Sequence, residues 1–179
     1  MLFLTFKEDA MTGPAYTKLM YNHILISISD PDRKVNIPSV PHCKARLDLR
    51  FHDIQTAADE KLTSFDASMA DEILEFVNEN INLADAIVVN CQAGISRSVA
   101  VASALSKILN HADDQIFSHG LPNMLVYTTI LDSYFSEPAY ANKWPKIYYL
   151  RHQALSNNLT PVQVRLSEIL ATKSEKGER

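Results

Sequence analysis

Glycine is scarce in this chain, four residues among 179, and cysteine is scarcer still, with two. Two cysteines, Cys43 and Cys91, do not make a disulfide framework. No apolar run approaches the roughly 18 residues that a membrane span needs. The opening Met1-Leu2-Phe3-Leu4-Thr5-Phe6 is cut off by Lys7, Glu8 and Asp9, too short for a signal-peptide core or a span. Charge of one sign is also lacking. The net charge of −4 advertises neither a nucleic-acid nor an anionic-membrane partner. Repeats, low-complexity tracts and His/Cys/Asp clusters at metal-ligand spacing are missing too, so neither metal nor cofactor is expected. What is there is ordinary for a globular protein: 46% hydrophobic and 21% charged residues, enough chain for one well-formed core.

Because glycines are few, the position of Gly94 carries information. It lies in Ile87-Val88-Val89-Asn90-Cys91-Gln92-Ala93-Gly94-Ile95-Ser96-Arg97-Ser98-Val99-Ala100. This stretch reads as an apolar strand, a tight loop and the first turn of a helix. Glycine lets the backbone turn inward at φ > 0. Successive loop N–H groups then form an anion-binding nest, to which the helix N-terminus adds partial positive charge. In that field the Cys91 thiolate is favoured over the thiol. Arg97, six positions on, offers a phosphate two parallel N–H donors, and the Ser98 hydroxyl can hydrogen-bond the thiolate and ease its departure. Cys91 alone could be a small core hydrophobe at a strand end. The inward turn, the arginine and the hydroxyl together point to a nucleophile that cleaves phosphate esters.

Periodicity predicts the surroundings. Leu2, Leu4 and Phe6 alternate as an edge strand. Ile24–Ile28 reads as a buried strand, closed by the turn-forming Ser29-Asp30-Pro31-Asp32, and residues 30–41 as loop. Strict alternation makes Ala45–Phe51 a further strand, with Leu47, Leu49 and Phe51 on one face. Residues 54–63 read as solvated loop. A helix over about 65–80 starts from Ser64 as N-cap and carries Met69, Ile73, Leu74, Phe76, Val77 and Ile81 as its apolar stripe. A strand over 86–89 delivers Cys91, and a buried helix runs from Arg97 to Asn110. Another helix opens at Leu121-Pro122-Asn123 and runs to about Phe135. Strand and helix in alternation imply an α/β fold, a mostly parallel sheet with helices on both faces and ligands at the strands' carboxyl ends. Residues 1–137 then form the catalytic domain. Residues 138–179 form an extension, aromatic through Tyr140, Trp144, Tyr148 and Tyr149, then helical from Thr160-Pro161-Val162-Gln163 to about Ala171, with a frayed end.

Asn90-Cys91 through Arg97-Ser98 resembles the signature loop of the cysteine-dependent protein tyrosine and dual-specificity phosphatases, His-Cys-x5-Arg-Ser/Thr. The small bacterial members, with Cys-x-Ala-Gly-Ile/Val-Ser-Arg-Ser, look most similar, and their Pro-Asn start leads the last core helix. The resemblance spans roughly residues 23–135. It has one departure: Asn90 stands where the family has a histidine that holds the loop and tunes the thiol, which implies an altered rate. The leaving oxygen also needs a proton from a carboxylic acid, and Asp53 is the candidate. Asp53, at the end of the strand taken as neighbour to the Cys91 strand, matches an Asp in a Phe/Val-His-Asp-Ile stretch of the bacterial relatives. Asp59 is its rival, because its separation from Cys91 is nearer that usual in dual-specificity phosphatases.

The expected reaction is metal-independent. Cys91 attacks phosphorus in line and forms a cysteinyl-phosphate that water hydrolyses. The loop residues Gln92, Ala93, Gly94, Ile95 and Ser96, with Arg97, bind the phosphate, while Arg97, Asp53 and Ser98 assist Cys91. Uncharged side chains at 92, 93 and 95 favour a singly phosphorylated substrate, phosphotyrosine or phosphoserine/threonine on a protein. The alternatives are a phosphate-binding module without turnover and a sulfurtransferase of rhodanese type, the latter disfavoured by the Cys-to-Arg spacing with Ser98. Cys43 reads as a core thiol, with a protective disulfide to Cys91 as the lesser reading. A reducing compartment, the cytoplasm, is the expected location. The six histidines, His23, His42, His52, His111, His119 and His152, read as structural or surface groups, His52 beside Asp53 being the one to test.

Overall fold

The structure is a computed structural model that describes residues 1–55 and 61–136. Strand β1 (Leu2–Lys7) is followed by a 3-10 turn (Glu8–Thr12) and the one-turn helix α1 (Pro14–Thr17). Strands β2 (His23–Ser29) and β3 (Cys43–Arg50) come next, then helix α2 (Ala67–Asn80) and strand β4 (Ala86–Cys91). Helices α3 (Arg97–Asn110), α4 (Asp114–Phe117) and α5 (Met124–Ser136) complete the described residues. The helix expected from Thr160 and the aromatic segment before it lie outside them.

The four strands form one parallel sheet in the order β1-β4-β2-β3. Central β2 is buried at every position and β4 likewise, which is why both read as near-continuous apolar runs. Edge strand β3 alternates instead, turning Lys44, Arg46, Asp48 and Arg50 outward; charges on an exposed edge discourage pairing with other chains. Helices α2 and α3 both pack on α5. Small side chains (Ala100, Ala102, Ser103, Ala104) let α3 sink almost entirely into the core. The opposite face is thinly covered. There Leu25 and Val88 pack with Met11, Tyr16, Ile37 and Val40, supplied by the first turns and the proline-bearing loop after β2.

Three expectations need correcting. The cap of α2 is Asp66, whose carboxylate accepts from the Met69 N–H at 3.0 Å, not Ser64, whose hydroxyl turns to the Phe65 carbonyl. Helix α5 begins at Met124, because the Asn123 side chain caps it by accepting from Val126 N–H. Strand β3 does not neighbour the Cys91 strand, since β2 lies between them. The crossover through α2 carries the chain past β2 to pair β4 on its far side.

Candidate active site

A parallel sheet brings all four strand ends to one edge, and the polar residues that follow them meet there. Lys7 of β1 pairs with Cys91, and Ser27 of β2 with Asn90. Between them the loop after β4 folds back on itself. Gly94 takes φ 75°, and a Cβ there would lie 2.7 Å from the Lys7 backbone nitrogen. Conformation and space both require glycine at this point.

The turn carries the Gly94 N–H to 3.3 Å from Cys91 Sγ. The sulfur of Cys91, a residue 1% exposed, also lies 3.1 Å from the Ser98 hydroxyl oxygen. As a thiol it donates to that oxygen; as a thiolate it accepts from both groups.

Arg97 is 3% exposed and held from one side. Its Nη1 donates to Asp30 Oδ1 at 2.6 Å and to the Phe51 carbonyl at 2.7 Å, while the guanidinium carbon sits 5.9 Å from the Phe51 ring centroid. Nε is buried with no hydrogen-bond partner, and its nearest carboxylate oxygen, Asp53 Oδ2, is 3.9 Å away. Anchoring through Nη1 leaves the Nε–Nη2 edge, the fork that fits two oxygens of an oxyanion.

Asp53 arrives from beyond β3. Its Oδ1 accepts from Ser96 Oγ and from Asn123 Nδ2, both at 2.8 Å. Asn123 also donates to the Ile54 carbonyl, and Gln55 Oε1 accepts from the Met124 N–H. Asp53 is thus stitched to the loop on one side and to the start of α5 on the other, with Oδ2 on the side of Arg97 Nε. Asp59 lies outside the described residues. The ring of His52 serves the backbone, its Nδ1 accepting from the Thr63 N–H at 2.9 Å.

The remaining loop residues divide. The Gln92 carbonyl accepts from the Glu8 N–H. With its amide turned to satisfy both neighbours, the Gln92 side chain donates to Asp30 Oδ2 at 3.3 Å and accepts from Arg33 Nη1 at 2.8 Å. Arg33 in turn forks onto Glu8 Oε1. Ala93 and Ile95 turn outward to solvent. Asn90 is fully buried and neither of its side-chain polar atoms has a partner. Each such group costs about 1–3 kcal/mol. Asp30 and Asn123 join the site although the sequence marks them only as turn and helix-start residues.

The two thiols stand at opposite ends of the sheet. Cys43 is level with His23 and Ala86, five residues below Cys91, or roughly 16 Å along the strand. A disulfide needs Cα atoms within about 7 Å, so the protective bridge is ruled out in this fold, and both cysteines are free. Among the described residues no group of three or more His, Cys, Asp or Glu could hold a metal ion, and no helix is long and apolar enough to cross a membrane.

No family model matches the sequence, and no curated protein matches it. Solved structures do. Human DUSP28 aligns at 16% identity and TM-score 0.52, over 75% of this chain and 92% of that one. The human tyrosine phosphatase-like serine/threonine/tyrosine-interacting protein aligns at 18% and 0.54, over 75% and 91%. PTPMT1 in complex with PI(5)P aligns at 13% and 0.50, over 78% and 94%. The chain therefore has the fold of the cysteine-dependent tyrosine and dual-specificity phosphatases. Likeness at this identity speaks to the backbone, and activity must be argued from the site.

Proposed function

We propose that this chain is a metal-independent phosphatase that hydrolyses phosphotyrosine, and secondarily phosphoserine or phosphothreonine, on proteins. The observation that carries the reading is the Arg97 Nε–H, buried with no hydrogen-bond partner, on the loop whose sulfur already faces the Gly94 N–H. Buried donors are almost always paired, so this donor set fits a bound oxyanion. In the first step the Cys91 thiolate attacks phosphorus while the Arg97 fork and the loop amides hold the equatorial oxygens. The sulfur–phosphorus bond forms, the ester oxygen departs, and Asp53 Oδ2 gives that oxygen its proton. In the second step water attacks the cysteinyl-phosphate, losing a proton to Asp53, and the Ser98 hydroxyl stabilises the departing thiolate. A thiol kept reduced suits the cytoplasm.

Asn90 favours a second reading. Its bare amide beneath the nucleophile suits a module that binds phosphate without turning it over. Phosphate release from p-nitrophenyl phosphate separates the two. We expect turnover by the full chain that Cys91→Ser abolishes and that Asp53→Asn, not Asp59→Asn, slows most for poor leaving groups. Tungstate binding with no turnover by the wild-type chain would leave only the binding reading.

A further inference from the structure

The two rims of the candidate site differ in chemistry. On one side stand Asp30, Gln92, Arg33 and Glu8, already joined to one another. The other side, around Asp53 and Gln55, presents exposed apolar side chains: Ile95 is 48% exposed, Leu121 78% and Met124 43%. These three belong to one surface. The Leu121 N–H donates to the Ile95 carbonyl at 2.8 Å, and the Asn123 N–H to the Ser96 carbonyl. Gly120 makes the approach possible, since a Cβ there would lie 2.3 Å from the Ile95 carbonyl oxygen. The segment before α5 is therefore laid directly on the phosphate loop.

This apolar shelf also flanks Asp53, which is bonded to Ser96 on one side and Asn123 on the other. In-line attack sends the leaving oxygen away from Cys91 and toward the acid that protonates it. Whatever that oxygen carries emerges beside Ile95, Leu121 and Met124. A polyol there would lose water from its hydroxyls against side chains that return no hydrogen bond. An apolar body would instead cover exposed methyl and thioether groups. Resting on the phosphatase reading, we propose that Leu121 and Met124 determine specificity, receiving a large apolar residue next to the phosphorylated residue of a peptide and selecting against inositol phosphates.

The test is kept separate from turnover by measuring binding to the full-length Cys91→Ser chain. Two phosphotyrosine peptides are compared, identical except for leucine or serine beside the phosphotyrosine, together with a soluble inositol monophosphate. The leucine peptide should bind about tenfold more tightly, the effect of partly covering one such side chain, with the inositol phosphate weakest. Leu121→Ser and Met124→Ser should each bring the two peptides to within about twofold, and Leu121→Phe should preserve the gap. Equal affinities in the parent chain, a gap that survives both serine variants, or tighter binding of the inositol phosphate would each overturn the proposal. So would a serine variant that binds every ligand better. Absence of p-nitrophenyl phosphate turnover by the wild-type chain would count against the phosphatase reading alone.

Discussion

The two cysteines occupy opposite ends of the same sheet, and the one with less access to water is the one we propose as the nucleophile. Cys43 is half-buried, while Cys91 is 1% exposed. Around Cys43 the surroundings are Tyr16, Leu25, Ile37 and Pro38, lining a pocket of about 200 Å³. Burial there pushes its thiol up, and the Tyr16 hydroxyl and Arg46 oppose that without cancelling it. The Cys43 S–H points to the Ala45 carbonyl, an acceptor of no use to an anion. Cys91 Sγ instead faces the Gly94 N–H and the Ser98 hydroxyl, from residues on either side of Arg97 in the chain. What stabilises a sulfur anion is the orientation of nearby donors, and exposure is a poor guide to it.

The largest expected effect breaks the comparison at the sulfur itself. Cys91→Ser should lower phosphate release at least about 10³-fold, whereas Cys43→Ser should change it less than about twofold, both read as steady-state rates with melting temperature as the folding control. A comparable loss in both would mean that the thiols do not differ in function. A smaller effect sharpens the contrast by moving one step behind the donors. Asp30 places a negative charge 2.6 Å from Arg97, which by charge alone opposes an incoming phosphate. Its value must then be positional: with Nη1 held, the Nε–Nη2 edge is aimed. Asp30→Asn should therefore weaken tungstate binding about tenfold, the worth of one charge-assisted hydrogen bond in aim. If charge outweighs aim, the same variant binds tungstate more tightly, and the sign decides.

Much of the Cys91 end was legible because its rules are local. A glycine that must sit at positive φ, an arginine at fixed spacing and a run of small residues in α3 each act within one turn of chain. Asp53 stands out in the sequence through its place at a strand end and through resemblance to a known pattern, but that strand is not the neighbour of β4, because sequence order does not fix spatial order in a sheet. Asp30 and Asn123 were read for their backbone habits, turn and helix start, which they do fulfil. Their side-chain work depends on partners 67 and 70 residues away, and spacing carries no signal for that. The thin face fared worst. Its cover comes from a five-residue 3-10 turn, a four-residue helix and an irregular loop, all too short to show a period.

The smallest expected effect tests whether the thin face is coupled to the loop at all. His23 begins β2, level with Cys43, and is fully buried. One ring nitrogen lies 2.9 Å from the Tyr21 carbonyl, so Nδ1 carries the proton, and Nε2 faces the Tyr16 hydroxyl at 3.5 Å. Burial holds its pKa below the ordinary value; the Tyr21 carbonyl pulls upward, and His42 and Lys44 add to the lowering. The folded chain therefore keeps His23 neutral where the unfolded chain takes a proton, near pH 6.5. Stability from this group is complete above that pH and falls as pH drops through it toward the folded value, by at most about 1.4 kcal/mol per pH unit. His23→Gln should flatten the dependence of unfolding free energy on pH between about 6.5 and 5.5 while leaving phosphate release at pH 7 within about twofold. An unchanged slope would remove His23 from the acid sensitivity of the fold. A large loss of turnover would mean that the thin face does reach the Cys91 loop, through β2, which among the described residues touches both β3 and β4.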